Sequence, residues 1–268
     1  MKYKLVAVDV DGTLLDSQSK LAPETITAIQ ETTAAGVIVT ICTGRPIQGV
    51  EPLIAELGLD LPFITYNGAK IVMGKSRKIL YAQTMRGEDV KTVYQLGTGL
   101  KTTVAIWADN KLYVQPFGPE ATVYAGHSRV EPQPITDLEA LIAQGVTKVL
   151  FFDKVEAIRH FVKQVAPAVP PTVNYCTSLP FMLEFFDQEI SKANALARLS
   201  AYYGFTREEI IAIGDGFNDL PMIKYAGLGI AMANADAAIK QQADYVTLSN
   251  DENGVAHALY RFCLNQGR

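Results

Sequence analysis

With 268 residues, 49% of them hydrophobic and 19% charged, the chain can bury a sizeable core and has the length of one large domain or two modest ones. A net charge of −4 and a pI near 5.5, with no dense block of Lys or Arg, leave no electrostatic footprint for nucleic acid or an anionic membrane. Cys42, Cys176 and Cys263 are too few and too scattered for a disulfide framework or a metal cluster, and with neither an export leader nor an apolar stretch of membrane-spanning length they suggest a reducing, cytoplasmic setting.

The run Leu5 to Val8 is continuously apolar rather than alternating, as a central parallel strand covered on both faces requires. It leads directly into Asp9-Val10-Asp11-Gly12-Thr13, at the strand end where open α/β sheets bind their ligands. Two carboxylates spaced by one residue at a strand end are expected on the same side of the pleat, where they are costly to hold together without a cation. A calcium loop of the EF-hand type is excluded, because its sixth and twelfth positions, Gly and Glu, are here Leu14 and Lys20.

Pro23-Glu24 opens a helix with Ile26, Ile29 and Thr33 on one face, and Gly36 closes it before a strand from Val37 to Ile41. Thr43-Gly44-Arg45 follows, ahead of a helix from Pro46 to Leu57. The Thr43 hydroxyl and the Gly44 amide could face an anion there, the alternative being a simple N-cap. Cys42 stands too close to Arg45 for a cysteine-phosphatase loop and reads as buried filler. Pro62 to Tyr66 is a short strand, Asn67-Gly68 a turn, and Lys70 to Met73 with Lys78 to Ala82 a hairpin.

From about Gln83 the texture becomes α+β. A helix around Glu88 to Leu96 precedes two antiparallel strands, Thr102 to Trp107 and Lys111 to Gln115. Thr136-Asp-Leu-Glu139 reads as a capping box, followed by a strand Val146 to Phe152, a helix Val155 to Val165, and strands near Val173 to Cys176 and Phe181 to Phe186. The α/β rhythm resumes after Asp187, so a core of residues 1–82 and 188–268 is expected, interrupted by a second domain of residues 83–187.

Ser191 caps a helix carrying Ala195, Leu196, Leu199 and Tyr203 and closed by Gly204. Lys192 falls in its first turn, where a cation opposes the macrodipole unless an anion compensates; the alternative is a solvated surface lysine. Ile210 to Ile213 is a buried strand leading into Gly214-Asp215-Gly216-Phe217-Asn218-Asp219. A dinucleotide fingerprint would need Gly in place of Asp219, and the two aspartates would repel a pyrophosphate. Asp9, Asp11 and Asp215 instead offer hard oxygen ligands of the kind magnesium accepts beside water and a substrate phosphate.

In this order, Asp9-Val-Asp11-Gly-Thr13, Thr43-Gly44-Arg45, Lys192 and Gly214-Asp215-Gly-Phe-Asn218-Asp219 resemble the four motifs of the haloacid dehalogenase (HAD) superfamily of phosphatases, across the whole chain. The long insert between the second and third motifs, the short segment from Leu14 to Ala22 and the stretch Thr65-Tyr66-Asn67-Gly68-Ala69 resemble its Cof-like, type IIB branch. Ala193 departs from the pattern, since many relatives carry Gly after the lysine. The resemblance implies an α/β fold, a Rossmann-like doubly wound parallel-sheet core with an inserted α+β cap, and a magnesium-dependent phosphomonoesterase for small phosphorylated metabolites such as sugar phosphates.

It further implies that Asp9 attacks phosphorus and that Asp11 serves as general acid and then base. Magnesium would lie on the Asp9 carboxylate, the Asp11 carbonyl and the Asp215 carboxylate, oriented by Asp219. Thr43, Lys192, Asn218, Asn67 and the amides of Val10 and Gly44 would bind the phosphoryl group or the substrate. A phosphomutase and a non-catalytic phosphometabolite-binding protein remain as alternatives, the second disfavoured by the intact pair of Asp9 and Asp11. The sequence names neither the substrate nor the oligomeric state.

Overall fold

The apolar run at the start of the chain forms β1 (Leu5–Val8), with every residue buried. Our computed structural model describes residues 2–58, 60–116 and 130–264. Past β1 come α1 (Pro23–Ala34), β2 (Ile38–Cys42), α2 (Ile47–Leu57), β3 (Pro62–Thr65), β4 (Lys70–Met73) and β5 (Ile79–Ala82). The α+β stretch holds α3 (Gly87–Gly99), β6 (Thr103–Ala108), β7 (Lys111–Gln115), β8 (Gln133–Pro134), α4 (Leu138–Gln144), β9 (Val146–Phe152), α5 (Val155–Val165), β10 (Val173–Leu179) and β11 (Met182–Asp187). The chain then adds α6 (Lys192–Tyr203), β12 (Ile210–Gly214), α7 (Leu220–Tyr225), β13 (Leu228–Ala231), α8 (Ala237–Lys240), β14 (Tyr245–Val246) and α9 (Gly254–Phe262).

These elements fall into two compact units, one of residues 1–45, 50–82 and 191–268, the other of residues 46–49 and 83–190. The first is built on an eight-stranded sheet of order β14-β13-β12-β1-β2-β3-β4-β5, parallel from β14 to β3 and antiparallel beyond. The chain winds outward from β1 through β2 to β3, and in the other direction from β12 through β13 to β14. The strand order therefore reverses between β1 and β12, the point at whose carboxyl ends open α/β sheets bind their ligands. Leu5 and Ala7 pack with Leu196, Leu199 and Met222 of α6 and α7, leaving Val6 and Val8 to the opposite face. This is the expected Rossmann-like, doubly wound α/β fold with an α+β insertion.

The second unit is a mainly antiparallel sheet of order β10-β11-β9-β6-β7-β8. One face carries Val104, Ile106, Val149, Phe151, Leu183 and Phe185 against Val90, Val93, Ile158 and Phe161 of α3 and α5. Alternation turns Lys148 and Glu184 to the other face, where they form a buried ion pair of 3.0 Å. No helix among the described residues is long and apolar enough to cross a membrane.

Two local expectations are corrected. The buried stripe of α1 is Thr25, Ala28, Ile29 and Thr32, with Ile26 and Thr33 only half-buried. A period of 3.6 allowed both stripes, and the smaller side chains let α1 lie close to β2 and α9. The expected box at Thr136 is replaced by a cap at Asp137, whose carboxylate accepts the Ala140 N–H at 3.0 Å, and α4 starts one residue later. Element ends differ by a few residues elsewhere: α3 reaches Gly99, and β3 stops at Thr65 because Tyr66 and Asn67 turn to positive φ.

Candidate active site

Asp9 and Asp215 are the first residues past β1 and β12, so they flank the point where the sheet order reverses. The Asp9 N–H donates to the Ile213 carbonyl at 3.0 Å, which extends the pairing of β1 and β12 and leaves the Asp9 side chain buried at the strand end. Gly214 permits the next step. A Cβ there would stand 2.5 Å from the Asp219 Cβ, so only glycine lets Asp219 fold back over the loop. Carboxylate oxygens of Asp9, Asp215 and Asp219 then lie within 4.8 Å of one another.

Lys192 enters this cluster from the first position of α6. Ser191 caps that helix by accepting the Asn194 N–H at 3.0 Å. The helix start is in turn pressed against the Asn67-Gly68 turn, where a Cβ on Gly68 would stand only 2.2 Å from the Ser191 carbonyl oxygen. The Lys192 side chain is completely buried, and its ammonium donates to Asp9 Oδ1 and to Asp219 Oδ1, both at 2.5 Å. The alternative of a solvated lysine is thus excluded. What compensates the cation at the helix start is a pair of carboxylates.

The electrostatics follow from one cation shared by buried acids. Burial, and then the neighbouring Asp219, push the Asp9 carboxyl up to about 8, with Lys192 offsetting only part of the rise. Burial also raises Asp215, against the Thr13 hydroxyl that donates to its Oδ1 at 2.7 Å. Burial alone would lower Lys192, but Asp9 and Asp219 outweigh it and keep the ammonium charged. Without a further cation the cluster therefore retains a proton near neutral pH.

The donor set fits a hard divalent cation. Asp219 has both oxygens engaged, Oδ1 by Lys192 and Oδ2 by the N–H groups of Asp215 at 3.1 Å and Gly216 at 2.8 Å. Asp9 Oδ2 and Asp215 Oδ2 meet no donor among the described residues. Two carboxyl oxygens that meet no donor, on acids whose charge burial disfavours, are what a hard divalent cation would hold in the ionised form.

Asp11 stands apart from this cluster, contrary to the expectation that both aspartates share one side of the pleat. β1 ends at Val8, and the chain turns through Gly12 at φ +82°, so strand alternation no longer governs the two residues. The Asp11 side chain is exposed, and both its oxygens are taken by Arg45, Nε at 3.0 Å and Nη2 at 2.5 Å. Arg45 and Thr13 lie inside motifs, but their partners, Asp11 and Asp215, are set by the fold. Their signal was only their place beside Gly44 and Gly12.

The remaining candidates gather at the same end of the sheet. Thr43 is buried just past β2, and its hydroxyl accepts the Arg45 N–H at 3.1 Å. Its carbonyl accepts the Asn67 N–H at 2.9 Å, and Asn67 in the left-handed region accepts the Asn218 side-chain amide at 3.2 Å. Gly44 lies so close to Asn67 that a Cβ would meet its Oδ1 at 3.0 Å. Val10 is fully buried, whereas Asn218 is exposed. Cys42 is buried filler, with burial raising its thiol far above the reactive range.

Comparison with known proteins agrees with this geometry. A family model described as haloacid dehalogenase-like hydrolase matches residues 6–259. The 5-amino-6-(5-phospho-D-ribitylamino)uracil phosphatase YcsE of Bacillus subtilis (strain 168) is 33% identical over 263 residues, covering 97% of this chain and 96% of the relative. A solved haloacid dehalogenase-like hydrolase from Bacteroides thetaiotaomicron superposes with a TM-score of 0.87 at 32% identity, covering 97% of this chain and 99% of that one. The HAD subclass IIB sugar phosphatase BT4131 does so with a TM-score of 0.80 at 26% identity, covering 97% and 98%. The expected type IIB resemblance is borne out: with acids at the ends of β1 and β12, the buried lysine of α6 and a match over nearly its full length, this chain belongs to the haloacid dehalogenase-like hydrolase family.

Proposed function

We propose that this chain is a magnesium-dependent phosphomonoesterase that hydrolyses small phosphorylated metabolites, sugar phosphates or phosphorylated polyols, through an aspartyl-phosphate on Asp9. The observation that carries the reading is Asp9 itself, buried at the switch point with one oxygen on Lys192 and the other without a donor among the described residues. The substrate class is supported by the sugar phosphatase and the phosphoribityl phosphatase among the relatives. Residues 83–187 would act as the substrate-selecting cap and residues 1–82 and 188–268 as the catalytic core, in a cytoplasmic protein.

In the first step an Asp9 carboxylate oxygen forms a bond to phosphorus as the bond to the ester oxygen breaks, and Asp11 gives its proton to the departing alkoxide. In the second, Asp11 takes a proton from water, the hydroxide attacks the same phosphorus, and the acyl-phosphate bond breaks to regenerate Asp9 and release inorganic phosphate. Both steps require the Asp11 carboxyl to leave its fork with Arg45. Lys192 holds Asp9 in place and offers positive charge to the phosphoryl oxygens, helped by Thr43, Asn218, Asn67 and the amides of Val10 and Gly44. Bound magnesium, held by the Asp9 and Asp215 carboxylates and the Asp11 carbonyl with Asp219 orienting them, would screen the repulsion between nucleophile and substrate.

A panel of sugar, polyol and alkyl phosphates, assayed for inorganic phosphate, tests the reading. Release should need magnesium and stop in chelator, with calcium a poor substitute. Release at full rate in chelator would overturn the metal assignment, and phosphate transfer between sugars without release would identify a mutase instead.

A further inference from the structure

Two asparagines outside every motif grip the loop that carries Asp11. The Asn234 side chain, just past β13, donates to the Gly12 carbonyl at 2.8 Å and accepts the Asn250 backbone N–H at 3.1 Å. The Asn250 side chain, past β14, donates in turn to the Leu15 carbonyl at 2.9 Å. Next to it, Asp251 accepts the Ser17 N–H at 2.8 Å. One relay of hydrogen bonds thus holds both ends of the segment from Gly12 to Leu15. On its other flank the same segment rests on Asp215, through the Thr13 hydroxyl at 2.7 Å and through Gly12, where a Cβ would stand 2.4 Å from Asp215 Oδ2.

We propose that Asn234 and Asn250 are positioning residues that fix the peptide planes from Gly12 to Leu15 and thereby set where the Asp11 carboxyl stands when it serves as acid and base. The inference rests on the phosphatase reading of Asp9 and Asp11. Its physical ground is the glycine. Gly12 occupies φ +82°, a residue free to visit several backbone wells, directly beside a catalytic carboxylate that is exposed and has to leave Arg45 to act. Such a hinge needs restraint from outside the loop. A side-chain amide donates and accepts at once, so Asn234 can bind the Gly12 carbonyl while being held by Asn250, which an ionised aspartate, an acceptor only, could not do.

Displacement of a catalytic group by about 1 Å can cost about a hundredfold in rate. Asn234 is exposed and water can replace part of its bond, so the expected loss is about tenfold. The test uses the full chain with magnesium and the variants Asn234→Ala, Asn250→Ala, the double variant and Asn234→Asp. Single-turnover rates are measured for an alkyl phosphate and for p-nitrophenyl phosphate, alongside steady-state kcat and KM. Because acid assistance matters most for a poor leaving group, alcohol release should slow about tenfold and nitrophenol release less than about threefold, with KM changed by less than about twofold. The double variant should be no slower than the worse single one, since both break one relay. Asn234→Asp, which keeps the shape but faces the Gly12 carbonyl with an acceptor, should be at least as slow as Asn234→Ala. Equal slowing of both esters, a rise in KM alone, or variants matching an active wild type would overturn the inference and leave the phosphatase reading intact. A wild type that releases phosphate from neither ester would overturn that reading, and the inference with it.

Discussion

Lys192 is a side chain whose removal the geometry penalises heavily. Its ammonium is fully buried and lies at 2.5 Å from both Asp9 and Asp219. In Lys192→Met the side chain keeps its length but loses its charge, and three acids within 4.8 Å of one another lose the ammonium that two of them share. At an effective dielectric of about 20 and a separation of 2.5 Å, each pairing is worth about 6–7 kcal/mol before desolvation. Breaking a buried pair by removing one member costs about 3–5 kcal/mol net. For a chain of this size that is a fall in Tm of about 6–10 °C in chelator. The pH dependence has a definite sign. Loss of the cation raises the carboxyl pKa values, so the folded variant keeps protons that the folded wild type has released. Its unfolding free energy therefore falls faster with rising pH, and the gap to wild type widens between about pH 6 and about pH 9. Thermal unfolding followed by circular dichroism at both pH values measures it. A deficit under about 1 kcal/mol, or one that narrows as pH rises, would refute the shared-cation account.

Metal-free wild type should itself lose stability as pH rises, because the Asp9 carboxyl moves from 3.8 to about 8 on folding and its contribution is complete only below the lower value. Magnesium added near neutral pH should then expel protons, seen as a calorimetric heat that depends on the buffer's ionisation enthalpy. Gly12→Ala should cost about 1–3 kcal/mol for its φ of +82° and displace Asp215, whose Oδ2 would be 2.4 Å from the new methyl, with activity down by about a hundredfold or more in a phosphate-release assay. In the other unit, Glu184→Leu alone should lose about 3–5 kcal/mol in urea unfolding by removing the buried carboxylate that Lys148 pairs with. Adding Lys148→Met to it should recover part of that loss, and a further drop would contradict the reading of a buried pair.

The chemistry was legible where it is written in contiguous residues. Asp9 and Asp215 follow short apolar strands, and their position at the carboxyl ends of a parallel sheet can be read from the runs before them. Lys192 was legible as a violation: a cation at a helix start announces a compensating anion. That the anions are Asp9 and Asp219, 183 and 27 residues away, is a product of the topology that sets β1 beside β12. The divergence of Asp11 from Asp9 depends on where β1 stops, and strand ends are the least readable part of a pattern. Arg45 reaches Asp11 across 34 residues, and Asn234 lies 222 residues from Gly12 in a segment of small residues, so neither partner carries a local signal. The stripe of α1 is not legible in the sequence because threonines lie on both sides of the helix, and close approach to β2 selects the smaller side chains over the more apolar ones.

The central claim is covalent chemistry on Asp9, and it is tested most directly by acid-quenching the enzyme during turnover and locating any phosphoryl group by peptide mass spectrometry. The account predicts one phosphoryl group on the peptide containing Asp9, labile at high pH as an acyl phosphate should be. It should accumulate in Asp11→Asn with p-nitrophenyl phosphate, where the first step survives and the base for the second is missing, and be absent from Asp9→Asn. Steady phosphate release with no phosphoryl group on Asp9 in either wild type or Asp11→Asn would mean direct attack by water, and would contradict it.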